Sequence, residues 1–200
     1  SHKEYLDALD AIEELCRKNE SSRTVEYALD IAEVLYDRVS GDDARRLRYW
    51  VGVQEMLVRR WERLDNSMQL LARMVERLYL GNDAGNTFPT EITPAGVASP
   101  LHRDLSGKKL VIYSLTETAA RRGRDALMKL YPGLSIELNA DHVATDALIN
   151  AARKADYFIF ASGSSKHQAF YTVTSCREDI IYPAGKGASS MVAAFIREMV

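Results

Sequence analysis

Along the first 80 residues, apolar positions recur at helical spacing. Tyr5, Leu6, Leu9, Ile12 and Leu15 follow the i, i+3, i+4 pattern, and Val25, Ala28, Leu29, Ala32 and Leu35 repeat it. Between positions 4 and 80 the only glycines are Gly41 and Gly52, and no proline occurs. Ser21-Ser22 ahead of Val25 reads as a helix start, and Ser40-Gly41-Asp42 as a stop followed by a fresh cap. The stretch 43–80 is long for one globular helix. Asp65-Asn66-Ser67, three poor helix formers that cap well, predict a break in it. The pattern therefore predicts an all-α helical bundle over 1–82.

Residues 83–106 carry Gly85, Pro89, Pro94, Gly96 and Pro100 among small polar residues, the composition of a connector. Its length predicts that part of it lies against a neighbouring surface.

From 107 to 200 the period changes. Short β-branched runs at 109–113, 135–138, 157–161 and 179–183 alternate with helical stretches at 118–130, 142–154, 166–176 and 189–200. Strands joined by helices of this length require a parallel sheet, and strands buried on both faces read as continuous apolar runs, as 157–161 does. The expected fold class is α/β: a small Rossmann-like or flavodoxin-like parallel sheet of about four strands, preceded by the helical domain.

Composition changes little in this picture. The chain is 46% hydrophobic and 27% charged, with a net charge of −2, which excludes a global attraction to nucleic acid or anionic membranes. No run is long enough to cross a bilayer. The two cysteines, Cys16 and Cys176, are far apart and read as reduced thiols of a cytoplasmic protein. The abrupt ends are expected of a piece of a larger parent protein.

Candidate chemistry follows from topology, because open parallel sheets bind ligands outside the carboxyl ends of their strands. That edge would collect Ser114 to Thr118, Asn139 to His142, Ser162 to His167 and Ala184 to Ser190. Two of these loops suit an anion. Ser162-Gly163-Ser164-Ser165-Lys166-His167 and Lys186-Gly187-Ala188-Ser189-Ser190 each open a helix with small residues, hydroxyls and one lysine. Serine and glycine also cap helices for stability alone. A pair of such loops on one edge, with Ser114, Thr116 and Arg121 beside them, favours a ligand.

Neither GxGxxG nor GxxxxGK[ST] occurs, which argues against a standard dinucleotide fold and a P-loop. His167 has no obvious acid to orient it, Asp141-His142 reads equally as a cap, and the histidines and cysteines lack metal-ligand spacing. No catalytic residue, metal or cofactor is assigned. In the helical half, Arg45, Arg46, Arg48, Arg59, Arg60 and Arg63 are interleaved with Tyr49, Trp50 and Trp61. Nucleic-acid binding and pairing with the acidic preceding helices are both open readings, and pairing is favoured.

KKLVIYSLTETAARRGRDAL, NADHVATDALINAARKADYFIFASGSSKHQAF and IIYPAGKGASSMVAAF together resemble the bacterial family called domain of unknown function 2325. Ala155-Asp156 before the apolar strand, His167 at a helix start and Ser189-Ser190 in the last turn carry the resemblance. Ser114-Leu115-Thr116 departs from it, standing where that family often has paired glycines. The resemblance covers 107–200 and implies a fold and a site position rather than an activity.

The expected function is a regulatory or sensor module of a bacterial protein. It would bind a phosphate-bearing small molecule, best a nucleotide, at the sheet edge. The helical half would serve self-association or contact with the larger parent protein. The alternatives are a nucleotide-processing hydrolase using His167 or Asp141, and a nucleic-acid-binding or purely protein-interaction domain.

Overall fold

The computed structural model describes residues 2–19, 21–37, 42–81, 87–89, 103–164 and 167–199. The chain divides into two compact units, Ser1–Val97 and Ala98–Val200.

The first unit holds α1 (His2–Lys18), α2 (Ser22–Asp37), α3 (Asp43–Arg60) and α4 (Asn66–Leu80). Each later start has a side-chain cap. Ser21 Oγ accepts from Thr24 N at 3.2 Å, and Asp42 Oδ1 accepts from Arg45 N at 2.9 Å. Asp65 Oδ1 accepts from Met68 N at 2.9 Å, so the break between α3 and α4 falls where the poor helix formers cluster. A 3-10 turn, Trp61–Arg63, makes the corner. The buried Gln69 amide donates to the carbonyls of Trp61 (3.0 Å) and Leu64 (3.2 Å), serving acceptors that the ended helix leaves open.

Helix α2 supplies Val25, Ala28, Leu29, Ala32 and Leu35 to a core shared with Tyr49, Trp50, Val53 and Leu57 of α3 and Leu71, Ala72 and Val75 of α4. Two tyrosines fix the spacing. Tyr49 donates to Ala28 O at 3.3 Å and Tyr79 to Ala32 O at 2.8 Å, each from a neighbouring helix to the α2 backbone. Among the described residues of α1, Leu9 alone is fully buried, with Tyr5, Leu6 and Ile12 half-buried. The helix is also held by the buried guanidinium of Arg45, which donates to Glu13 (2.6 Å) and Asp10 (2.7 Å). Part of the expected connector packs here: Phe88 is buried and stacks on Trp61 at 4.6 Å, and Thr87 N donates to the buried Glu76 at 2.9 Å.

The second unit is α/β. Its order is β1 (Lys109–Tyr113), α5 (Glu117–Leu130), β2 (Ser135–Asn139), α6 (Asp146–Lys154), β3 (Tyr157–Phe160), a 3-10 turn (Ser162–Ser164), α7 (His167–Thr174) and α8 (Ala188–Met199). The sheet is parallel with order β2-β1-β3; Leu110 pairs with Ile136 on one side and Tyr157 on the other. All of Leu110 to Tyr113 are fully buried. Val111, Tyr113, Phe158 and Phe160 pack on Leu148, Ala151, Ala152, Ala169 and Val173 of α6 and α7. Strand alternation turns Leu110 and Ile112 to the other face. Helices α5 and α8 pack on each other, with Met191 and Ala188 in ordinary contact distance of Gly123.

Two expectations are corrected. The fourth strand contracts to one residue: Ile181 N donates to Phe158 O and Ile181 O accepts from Phe160 N, both at 2.9 Å, making a single parallel bridge with Ile159. Alternate residues serve a parallel ladder, and the next to serve is Pro183, which has no N–H. On the other side Asp179 is drawn away, accepting from Arg177 through its carboxylate and its carbonyl. Among the described residues the sheet is therefore three-stranded. Helix α6 begins at Asp146 rather than 142. Thr145 Oγ1 accepts from Leu148 N at 3.1 Å, and the residues before it form a braced loop.

Candidate functional site

The exits of β1 and β3 lie side by side at the carboxyl edge of the sheet, where Ala161 N donates to Tyr113 O at 3.0 Å. On the other flank Ser114 N donates to Asn139 O at 3.0 Å. Ser114 is buried, and its Oγ accepts from Thr116 N at 3.1 Å, so this serine shapes the turn from within. Thr116 occupies the cap position of α5, and its side chain makes no capping bond. Arg121 is exposed and pairs with Glu117 one turn back at 3.0 Å, the arrangement of a solvated helix face.

The second loop is a closed knot of hydrogen bonds. Asp141 Oδ2 accepts from the Thr145 hydroxyl and from Asn139 Nδ2, the latter at 3.0 Å; Asp141 N donates back to Asn139 Oδ1 at 3.1 Å. Those two bonds to Thr145 and Asn139, aided by the charge of His142, hold the Asp141 carboxyl below the usual aspartate range. Tyr113 donates to Asp141 O at 2.9 Å, and burial pushes its own hydroxyl up. Asp141 thus braces the loop as an anion.

The third and fourth loops touch. Ser162 and Gly163 are exposed in the 3-10 turn, and the stem of Lys186 lies against Gly163. A Cβ on Gly163 would fall 3.1 Å from Lys186 Cε and 3.2 Å from its Cγ, so a larger residue there would push the lysine stem aside. Ser164 ends that turn and His167 opens α7, whereas Ser165 and Lys166 lie outside the described residues. In the fourth loop Gly187 is buried, and Ser189 and Ser190, in the first turn of α8, are buried too. Of the sequence-predicted residues, the structure brings Gly163 into contact with Lys186, while Ser114, Ser189 and Ser190 sit in the interior.

Sequence reasoning missed an aromatic cluster along the same edge. Tyr113 stacks on Phe160 (4.7 Å between centroids), and Phe160 meets Phe170 at 5.8 Å and Tyr182 at 6.4 Å. Phe170 in turn meets Tyr171 at 5.7 Å. Tyr171 and Tyr182 are 69% and 46% exposed, so the cluster runs from the core out to solvent. The available signal was positional: Tyr113, Phe160 and Tyr182 each stand at the carboxyl end of a predicted strand.

In the helical unit the arginine-rich stretch divides. Arg45 is buried on Asp10 and Glu13; Arg46 pairs with Asp43 at 3.0 Å and lies over Tyr36 at 5.5 Å. Arg60 is half-buried beside Trp61, and Arg59 and Arg63 are exposed. Trp50 and Trp61 are buried core residues rather than exposed stacking surfaces. Among the described residues no group of three or more His, Cys, Asp or Glu is placed to hold a metal. No helix there is long and apolar enough to cross a membrane.

These features define a two-unit chain, helical then α/β, with a parallel sheet whose carboxyl edge, among the described residues, carries aromatic rings and Lys186. The chain belongs to the DpdD-like family, whose match runs over residues 1–194. That match corrects the resemblance to domain of unknown function 2325, because it takes in the helical half together with the α/β half as one family unit. The misleading motifs have structural roles of their own: Asp156 receives Lys108 Nζ (2.9 Å) and Lys109 N (2.8 Å) at the start of the sheet, and Ser189-Ser190 are buried. No curated protein and no solved structure matches the chain.

Proposed function

We propose that the α/β unit is a Rossmann-like regulatory or sensor module of a bacterial protein, and that it binds a nucleotide at the carboxyl edge between β1 and β3. The contact of Lys186 with Gly163 carries the reading. It joins the loop after Ile181 to the loop after β3, one of the two strands between which the order β2-β1-β3 makes successive crossovers diverge, and open sheets take ligands beside such a point. The lysine ammonium and the exposed backbone of Ser162 and Gly163 suit a phosphate. Tyr182 and Phe170 offer a ring face to a base. Sensing is favoured over hydrolysis because Asp141 is engaged in bracing its loop.

A thermal-shift series with mono-, di- and cyclic nucleotides tests this. A ligand at a hundred times its dissociation constant stabilises by about 2.7 kcal/mol, which raises Tm by several degrees. Lys186→Ala and Tyr182→Ala should each reduce that shift. A panel with no shift at all would remove the reading and leave the edge as a protein-contact surface.

A further inference from the structure

We infer that α3 carries a second, outward seam, and that this seam joins two copies of the chain, α3 crossing α3 antiparallel at Gly52. The inference names the partner for the assembly role expected of the helical half and does not depend on the nucleotide reading.

The inward face of α3 is Arg45, Tyr49, Trp50, Val53, Met56 and Leu57. On the opposite face Leu47, Val51 and Val58 recur at helical spacing and are 48%, 44% and 50% exposed. Solvent alone does not call for valine at 51 and 58, since lysine, glutamate or glutamine would form the helix better.

Gly52 is the second observation. It is exposed in mid-helix, its φ is not positive, and a Cβ built on it would meet nothing within 4 Å. Nothing inside the unit demands a glycine, although mid-helix glycine weakens a helix. A backbone arriving from outside does demand one. Beside Gly52 a cleft of about 350 Å³ between α1 and α3 leaves room for an incoming aliphatic side chain.

Charge identifies the visitor as the same helix. Among the described residues Arg48 and Glu55 make no ion pair. In an antiparallel crossing at Gly52, residues before the glycine meet residues after it. Arg48 then falls against the partner's Glu55 and Val51 sits next to the axis, while Leu47 and Val58 lie further round each helix at the margin of the contact. Every contact recurs under the two-fold, as an isologous interface requires. A parallel crossing would instead set Arg48 on Arg48 and Glu55 on Glu55, which repel.

Sedimentation equilibrium of the full chain at micromolar concentration should show a dimer. Val51→Glu places like charges beside the axis and should weaken it about a hundredfold or more, with unchanged far-UV circular dichroism. Arg48→Glu and Glu55→Arg should each weaken the dimer about tenfold, and the double variant should restore it, because the two side chains meet only between copies. Gly52→Cys, with Cys16 and Cys176 replaced by serine, should form a disulfide dimer under mild oxidation. A monomeric wild type overturns the proposal; so does a dimer indifferent to Val51→Glu, or a charge-swap double variant as weak as its parents. Slow hydrogen exchange along the seam in a monomer would assign the face to the α/β unit of the same chain instead.

Discussion

The two units place polar groups in opposite ways. The helical unit buries full charges: Glu26, Asp30, Glu33, Arg45 and Glu76 are all less than a tenth exposed. Among the described residues of the α/β unit the buried polar residues are hydroxyls, Ser114, Ser189 and Ser190, and the Arg177 side chain, 7% exposed, is the charged exception. The difference follows from what fixes each architecture. A helix satisfies its own backbone, so nothing in the main chain sets where the next helix lies, and side chains such as Arg45 and Tyr79 must do it. A sheet is located by its own ladder, so side chains at its edge are spared that duty and can be given to loops and ligands.

The strongest way to break this comparison is to remove the anchoring arginine of each unit. Arg177 donates to Ala152 O (3.0 Å) and Ala155 O (3.1 Å) at the end of α6, pairs with Asp179 at 2.5 Å and lies over Phe158. Arg177→Ala should cost about 3 kcal/mol, the scale of several charged hydrogen bonds lost in a buried place, read from the urea midpoint. Arg45→Ala removes two carboxylate contacts, one to the well-exposed Asp10, and should cost about 1.5 kcal/mol on the same scale. Its signature should be local: faster hydrogen exchange in α1, where Leu9 alone among the described residues is fully buried. Equal losses spread over both units would end the distinction.

The parts of the fold that were legible in the sequence are those where local chemistry agrees with the tertiary outcome. Asp42 and Asp65 cap helices as their sequence contexts predict, and β1 occupies 109–113 because nothing in that run opposes a strand. The fourth strand misled because its apolar residues read well while its outcome depends on Pro183 and on Arg177 pulling Asp179 aside. The candidate edge follows from the strand pattern, whereas which side chains reach it does not. A serine in a βα loop reads the same whether it faces a ligand or, like Ser189 and Ser190, the interior. The aromatic cluster was hidden for the converse reason, since Phe160 and Tyr182 read as ordinary strand residues until Phe170 is placed between them.

Acid sharpens the contrast next. In the α/β unit Asp141, Asp156 and Asp179 all lie below the ordinary aspartate value of 3.8. The causes are, in turn, hydrogen bonds from Thr145 and Asn139, from Lys108 and the Lys109 amide, and from Arg177. A carboxyl depressed in the folded state adds stability that is complete above its unfolded value and disappears as pH falls through its folded one. The α/β unit should therefore weaken progressively below about pH 4, the unfolded aspartate range. Asp141→Asn should flatten part of that slope when unfolding is followed by hydrogen exchange in β1 and β2. In the helical unit the resolved depression is Glu14, a half-exposed residue paired with Lys18, so the fluorescence of Trp50 and Trp61, both in that unit, should respond less over the same interval. Coincident acid transitions would refute the contrast.

The finest comparison sets two glycines side by side. Gly52 in α3 faces open space, and Gly163 is covered by the stem of Lys186. An added methyl should therefore act oppositely on stability and function. Gly52→Ala gains helix propensity without a clash and should stabilise the dilute helical unit by about 0.8 kcal/mol, while loosening any crossing of two α3 helices at that point. Gly163→Ala should change the melting temperature little, because the atoms it meets belong to a flexible side chain. It should nevertheless move Lys186 and reduce whatever nucleotide shift the wild type shows. If Gly163→Ala leaves a nucleotide shift intact, the lysine is not part of the site. If Gly52→Ala destabilises the dilute chain, a neighbour already fills the space beside α3, and its glycine answers to a contact within the chain.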